Sequence, residues 1–349
     1  MNLVLQLLKR ISEQLFPGYF ALVMATGVLS IGTHLLELDL VAEALYIFNI
    51  LAFFILWILT IIKLIYFRDV IKSEIKNHRL APSYFTLIAG TSVFGCQVLM
   101  IGEHVNIALF LWFFAIILWL IIMYTFFTVM TVHPEKPAIS KGINGAWLIA
   151  VVATQSLAVL GSFLSSDFAD FHVLMLFFSI CMYFLGCMLY LNIMIFIFYR
   201  FMFVELKFTA MAPPYWINMG AVAITTLAGA NLILQQAQWG FLAELSTFLK
   251  GFTLFFWVTG TWWIPLLIIL SVWRYVYHRD KPGYDPQLWA MVFPVSMYMT
   301  GTYKLAEALD LSFLFYIPKV IIYAALIIWI CVFWGMITQL YRKLRRKIS

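Results

Sequence analysis

The sequence predicts an all-α integral membrane protein of ten transmembrane helices, arranged as five helical hairpins. Three observations predict it. Hydrophobic residues make up 64% of the 349 residues, charged residues only 11%, and the mean hydropathy is +0.97. A soluble domain of this size could not cover so much apolar surface with so few charges. Apolar segments recur near 17–36, 42–66, 82–101, 106–132, 144–164, 172–200, 214–235, 246–275, 286–309 and 313–340. At about 1.5 Å per residue, each can cross a hydrocarbon core of roughly 30 Å. Finally, the segments alternate in character. The odd-numbered ones are shorter and rich in Gly, Ala, Ser and Thr. The even-numbered ones are crowded with Phe, Ile, Leu and Trp, as in LFLWFFAIILWLIIMYTFF. Small residues let helix backbones approach, whereas large apolar ones suit a lipid-facing surface.

Residues 1–16 place Val4, Leu8, Ile11 and Leu15 on one helical face with Lys9, Arg10 and Glu13 elsewhere, a pattern for a helix lying in the membrane interface. The membrane domain follows over 17–341, with hairpins near 17–66, 82–132, 144–200, 214–275 and 286–340. A basic tail, 342–349, ends the chain. With the amino terminus inside, every basic residue except Lys250, Lys304 and Lys319 falls on the cytoplasmic side. The acidic Glu37, Asp39, Glu43, Glu103, Asp167, Asp170, Glu244, Glu307 and Asp310 fall outside. This asymmetry places both termini in the cytoplasm of a plasma or inner membrane. The net charge of +6 therefore belongs to membrane orientation and the lipid bilayer, not to nucleic acid.

The odd spans open alike, with Pro17-Gly-Tyr19, Pro82-Ser-Tyr84, Asn144-Gly-Ala-Trp147, Pro214-Tyr-Trp216 and Pro286-Gln-Leu-Trp289. Proline is tolerated in a first helical turn, so each marks a helix start at the inner face. Aligned on the aromatic residue, the positions seven further on are Thr26, Thr91, Thr154, Ala223 and Ser296, four of them hydroxyls. Eleven further on stand Ser30, Gly95, Ala158, Leu227 and Thr300. Repetition at this spacing describes five hairpins, with the five odd helices ringed around a central pore and the even helices outside. The hydroxyls read either as pore lining or as groups bonded back to their own helix carbonyls.

The ninth span is the one the chain is organised around. Phe293-Pro294 lies at its centre, where proline removes a backbone donor and bends the helix. Ser296, Thr300 and Lys304 share the Phe293 face by helical spacing. That face, with a ring, two hydroxyls and a cation, suits protein or water rather than lipid. In the same alignment the other inner helices carry Val23, Ile88, Val151 and Gly220 opposite Phe293, all smaller. Lys304 reads as a cation at the pore mouth or as a side chain snorkelling to headgroups.

FPGYFALVMATGVLSIG near the start and WAMVFPVSMY in the ninth span resemble the tellurite-resistance/dicarboxylate transporter family. That family includes bacterial TehA-type proteins, fungal malate and sulfite transporters and slow-type anion channels of plants. The resemblance covers all ten spans. It implies a homotrimer with one pore per protomer, passage of small inorganic or organic anions, and a ninth-span phenylalanine, here Phe293 with Pro294, as the gate.

Other classes fit less well. Cys96, Cys181, Cys187 and Cys331 lie in apolar runs without metal-ligand spacing. His34, His104 and His172 sit near outer helix ends and could converge on a metal or haem in a redox enzyme. They lack paired ligands at mid-membrane depth, so no enzyme and no cofactor is expected. No nucleotide-binding loop appears. The lining read from the sequence has no arginine or lysine at mid-membrane, which favours an anion channel or channel-like exporter with weak, distributed attraction. The alternative is a proton- or gradient-coupled carrier for C4-dicarboxylates, sulfite or tellurite oxyanions.

Overall fold

The computed structural model describes residues 3–168, 170–208, 211, 213–280 and 283–348. Lys281 and the side chains of Val4, Lys343, Arg346 and Lys347, which belong to the orientation, amphipathic-face and tail readings, lie outside the described residues. Thirteen α-helices are described: α1 Leu3–Glu13, α2 Ala21–Leu35, α3 Asp39–Tyr66, α4 Arg68–Lys76, α5 Phe85–Met100, α6 Val105–Val132, α7 Ile139–Gly142, α8 Ile149–Leu164, α9 His172–Phe203, α10 Ile217–Leu234, α11 Gly240–Val272, α12 Trp289–Leu309 and α13 Tyr316–Ile348. No strand occurs among the described residues. Among the described residues, nine helical stretches are long and apolar enough to cross a membrane. The tenth long helix, α12, is more polar but packs among them as the ninth span.

The arrangement follows from side-chain size. The small-residue helices form a closed ring, α2 against α5, α5 against α8, α8 against α10, α10 against α12, and α12 back against α2. Each large-residue helix covers the seam beside its own partner: α3 touches α2 and α5, α6 touches α5 and α8, and so on round to α13, which touches α12 and α2. The spans containing α2, α5, α8 and α10 are 83% to 94% buried, whereas the outer spans are 17% to 56% buried. Outward-facing Leu51, Phe54, Phe110, Ile117, Phe255 and Ile327 remain exposed, as a surface solvated by lipid tails requires.

Every inner helix starts with a tight 3₁₀ turn, at Pro17–Phe20, Ala81–Tyr84, Gly145–Leu148, Pro213–Trp216 and Pro286–Leu288. Three of the outer hairpin turns hold an acidic residue in the left-handed region: Glu37, Glu103 and Asp310 at φ 61°, 54° and 55°. Glutamate rarely adopts that conformation, so the same short reversal is imposed by helix packing at each site. At the inner side, α1 lies along α3, and Lys63 Nζ donates to both the Leu15 carbonyl and Glu74 Oε1 at 2.7 Å. Tyr84 donates to the other Glu74 oxygen. This buried cluster ties the amino-terminal helix, α4 and the start of α5 together.

Candidate axial site

Two cavities lie on the ring axis. The inner one, about 320 Å³, is lined at equivalent places by Gly18, Ser83, Ala146, Pro214 and Gln287, and three residues further on by Ala21, Thr86, Ile149, Ile217 and Ala290. The outer one holds only about 20 Å³, near the volume of a single water-sized probe. Its lining includes Val28, Val93, Ser156, Ile224 and Met297, ten residues beyond the first set, then Ile31, Cys96, Val159, Leu227 and Thr300, thirteen beyond. All five helices keep one register, and it fixes which face of each meets the axis.

That register aligns Pro17, Pro82, Gly145, Pro213 and Pro286, four of which open their 3₁₀ turns while Pro82 is the second residue of its own. In α10 and α12 the aromatic used as the sequence anchor stands one residue later than in the other three. The residues level with Phe293 are consequently Met24, Ala89, Val152 and Gly220. Val23, Ile88 and Val151 are displaced by 100° round their helices. Gly220 keeps its assignment because α10 and α12 shift together. A Cβ on Gly220 would come within 2.7 Å of Pro294 Cγ, so this glycine lets the two helices meet at that level.

The same offset turns several expected lining residues away from the axis. Thr26 Oγ1 accepts the indole N–H of Trp329 on α13, and Thr154 Oγ1 accepts that of Trp119 on α6, each at 2.9 Å. Thr91 donates to the Leu87 carbonyl and Ser30 to the Ala42 carbonyl on α3, both at 2.7 Å. A Cβ on Gly95 would strike Leu160, and Ala223 abuts α12, its carbonyl 2.8 Å from where a Cβ of Gly301 would stand. Ser296, on α12 and so unaffected by the offset, donates to the Val292 carbonyl of its own helix at 3.1 Å and lines neither cavity. Two of the recurring hydroxyls, Thr26 and Thr154, are thus anchors for the outer helices, since an indole N–H inside a membrane needs an acceptor, whereas Thr91 and Ser296 bond back to carbonyls of their own helices.

Thr300 and Lys304 line the outer cavity, and Phe293 lies on the same side of α12 by helical spacing. Phe293 is 1% exposed and lies one helical turn from Ala290 in the inner cavity and one from Met297 in the outer. Neither cavity is lined by it. Lys304 lines the outer cavity, with its ammonium 2.7 Å from Glu307 Oε2. Two cations that the sequence reading left among cytoplasmic charges, Arg79 and Arg200, line the inner cavity instead. Arg200 is the lone basic residue in the last turn of α9, and that isolation is the only sequence signal of its place. The histidines go separate ways: His34 pairs with Asp39 at 2.8 Å and His172 contacts the Gln238 carbonyl at 3.1 Å.

A closed ring of buried helices around two axial cavities, wrapped by lipid-facing helices, defines a polytopic membrane protein of the channel or transporter type. The chain belongs to the voltage-dependent anion channel family, SLAC1, whose family model matches residues 14–337. It is also similar to an uncharacterized transporter of Methanocaldococcus jannaschii, 26% identical over 318 residues that cover 88% of each chain. A second uncharacterized transporter of that organism is 25% identical over 93% of this chain and 94% of its own. An uncharacterized membrane protein of Mycobacterium tuberculosis is 36% identical over 141 residues, 40% of this chain and 71% of its own.

Proposed function

We propose that the protein is an anion channel, or channel-like anion exporter, whose path runs along the axis of the inner ring and is occluded by Phe293. The observation that supports this reading is the pair of axial cavities whose linings lie one helical turn to either side of the level of Phe293. A phenyl group there blocks an ion by volume and by denying it the hydration it must keep or replace. Ala89 and Gly220 at the same level leave the phenylalanine as the main obstruction, with Met24 and Val152 beside it. Proline at 294 leaves a backbone carbonyl without its helical donor, which eases bending at this point.

Phe293→Ala in a planar bilayer is expected to carry anion current well above wild type, with preference over cations retained. A folded, inserted Phe293→Ala protein no more conductive than wild type would falsify the gate. The coupled carrier for C4-dicarboxylate, sulfite or tellurite oxyanions is the second reading, favoured by the two arginines of the inner cavity. Counterflow of labelled malate without current would select it. Assembly as a homotrimer with one path per protomer, and insertion in the plasma or inner membrane with both termini cytoplasmic, complete the proposal. The broad apolar surfaces of the outer helices and the bias of basic residues to one side support it. A monomeric mass by light scattering would overturn the trimer.

A further inference from the structure

Two arginines, Arg200 and Arg79, line the inner cavity. Arg200 leaves the last turn of α9 and is only 9% exposed. Its Nη1 donates to the Ile143 carbonyl, and its guanidinium carbon stands 5.8 Å from the centre of the Tyr215 ring. Arg79, on the turn between α4 and α5, lines the same space. Neither arginine forms an ion pair with a carboxylate among the described residues. By contrast, Lys63, Arg274 and Lys304 each hold a carboxylate oxygen at 2.7 Å. The rest of the lining contains no acid but offers the neutral polar groups of Asn77, Ser83, Thr86, Asn144 and Gln287. The Tyr215 hydroxyl, beside Arg200, is buried with no hydrogen-bond partner among the described residues.

A buried cation without a counter-ion is costly, and the cost is relieved when an anion supplies the missing charge and acceptors. A guanidinium presents its N–H groups as a planar fork, which matches two oxygens of one planar anion. With Nη1 of Arg200 committed to Ile143, its remaining N–H groups can still engage such a pair, and Arg79 can meet a further oxygen. A halide is a single sphere and cannot span the fork. A cavity of about 320 Å³ also accepts an anion of several heavy atoms with part of its water. We infer that the inner cavity is a binding site for a planar oxyanion of the carboxylate type, held by Arg200 and Arg79 in preference to halide. The inference rests on the reading of the axis as an anion path and names the class of anion its inner end takes.

The test is the thermal unfolding midpoint of the detergent-purified full chain, followed as sodium formate replaces sodium chloride at constant ionic strength. Wild type is expected to gain stability saturably with formate. Arg79→Gln and Arg200→Lys should each raise the half-saturating formate concentration at least tenfold. Arg200→Lys keeps the charge and a donor for Ile143 while removing the planar fork. Arg79 is exposed, so Arg79→Gln decides the matter if the other variant does not fold. Equal gains in wild type and variants, or no advantage of formate over chloride in wild type, would overturn the site. Currents through Phe293→Ala, recorded in parallel, separate the two readings. Current without a variant-sensitive gain removes this site alone. A variant-sensitive gain without current supports the site and removes the channel.

Discussion

Lys304 carries the only formal charge lining the outer cavity among the described residues, and Glu307 one turn away holds it at 2.7 Å. The pair is partly exposed, so the attraction contributes about 0–1 kcal/mol to folding, and its larger effect is on the local field. Removing the acid should therefore matter as much as removing the base. At low ionic strength, Lys304→Gln is expected to lower anion current and Glu307→Gln to raise it, measured in the Phe293→Ala background. Both changes should fade as salt shortens the screening length to less than roughly 8 Å. Identical currents at low salt in all three proteins would assign Lys304 to headgroup contact. At this scale the sequence was legible where one helix was read against itself. Phe293, Thr300 and Lys304 share a face because 100° per residue holds within α12. Comparison between helices failed by one residue, since the aromatic of each motif follows local packing while the proline marks the turn that sets helix depth.

The helical hairpin is the element that repeats, and its two halves do different work. Inner helices present small residues to each other and hydroxyls to the outer helices. Three of the outer helices, α6, α11 and α13, return an indole N–H to such a hydroxyl, through Trp119, Trp257 and Trp329, and all five turn apolar surface to lipid. Such membrane hydrogen bonds contribute about 0.6–2 kcal/mol each, enough to fix rotation of one helix on another. The assignment of faces is checked by thiol accessibility. Cysteines replacing Ser156 and Leu227, on the outer cavity, are expected to react with small aqueous reagents from outside in an unplugged variant. Cysteines replacing Thr26 and Thr154 should stay unreactive behind Trp329 and Trp119. Labelling of the second pair but not the first would restore the face expected from the sequence. Hairpin boundaries were readable because length, hydropathy and charge all change at the membrane surface. Which hydroxyl faces inward was not, because a threonine on either face has the same composition and the same spacing.

For the whole molecule, the alternation of small and large spans was enough to foresee the two-layer ring, since packing density and lipid exposure demand opposite side-chain sizes. What the sequence hid was the approach of Arg200 to the axis. Its helix belongs to the outer layer, and only the gap between the inner ends of α8 and α10 admits it. Charge at the inner end of the axis is therefore supplied from outside the ring helices, whereas at the outer end a ring helix supplies it, through Lys304 of α12. The ring is also built from one continuous polypeptide, although its five members repeat. A true five-subunit assembly would have to place the same side chain five times at every level, giving five phenyl groups or none. Here a single chain supplies all five members, so the side chain at one depth of one helix, Phe293 level with Met24, Ala89, Val152 and Gly220, can be weakened, swapped or repositioned by a single codon change without disturbing the other four staves of the barrel.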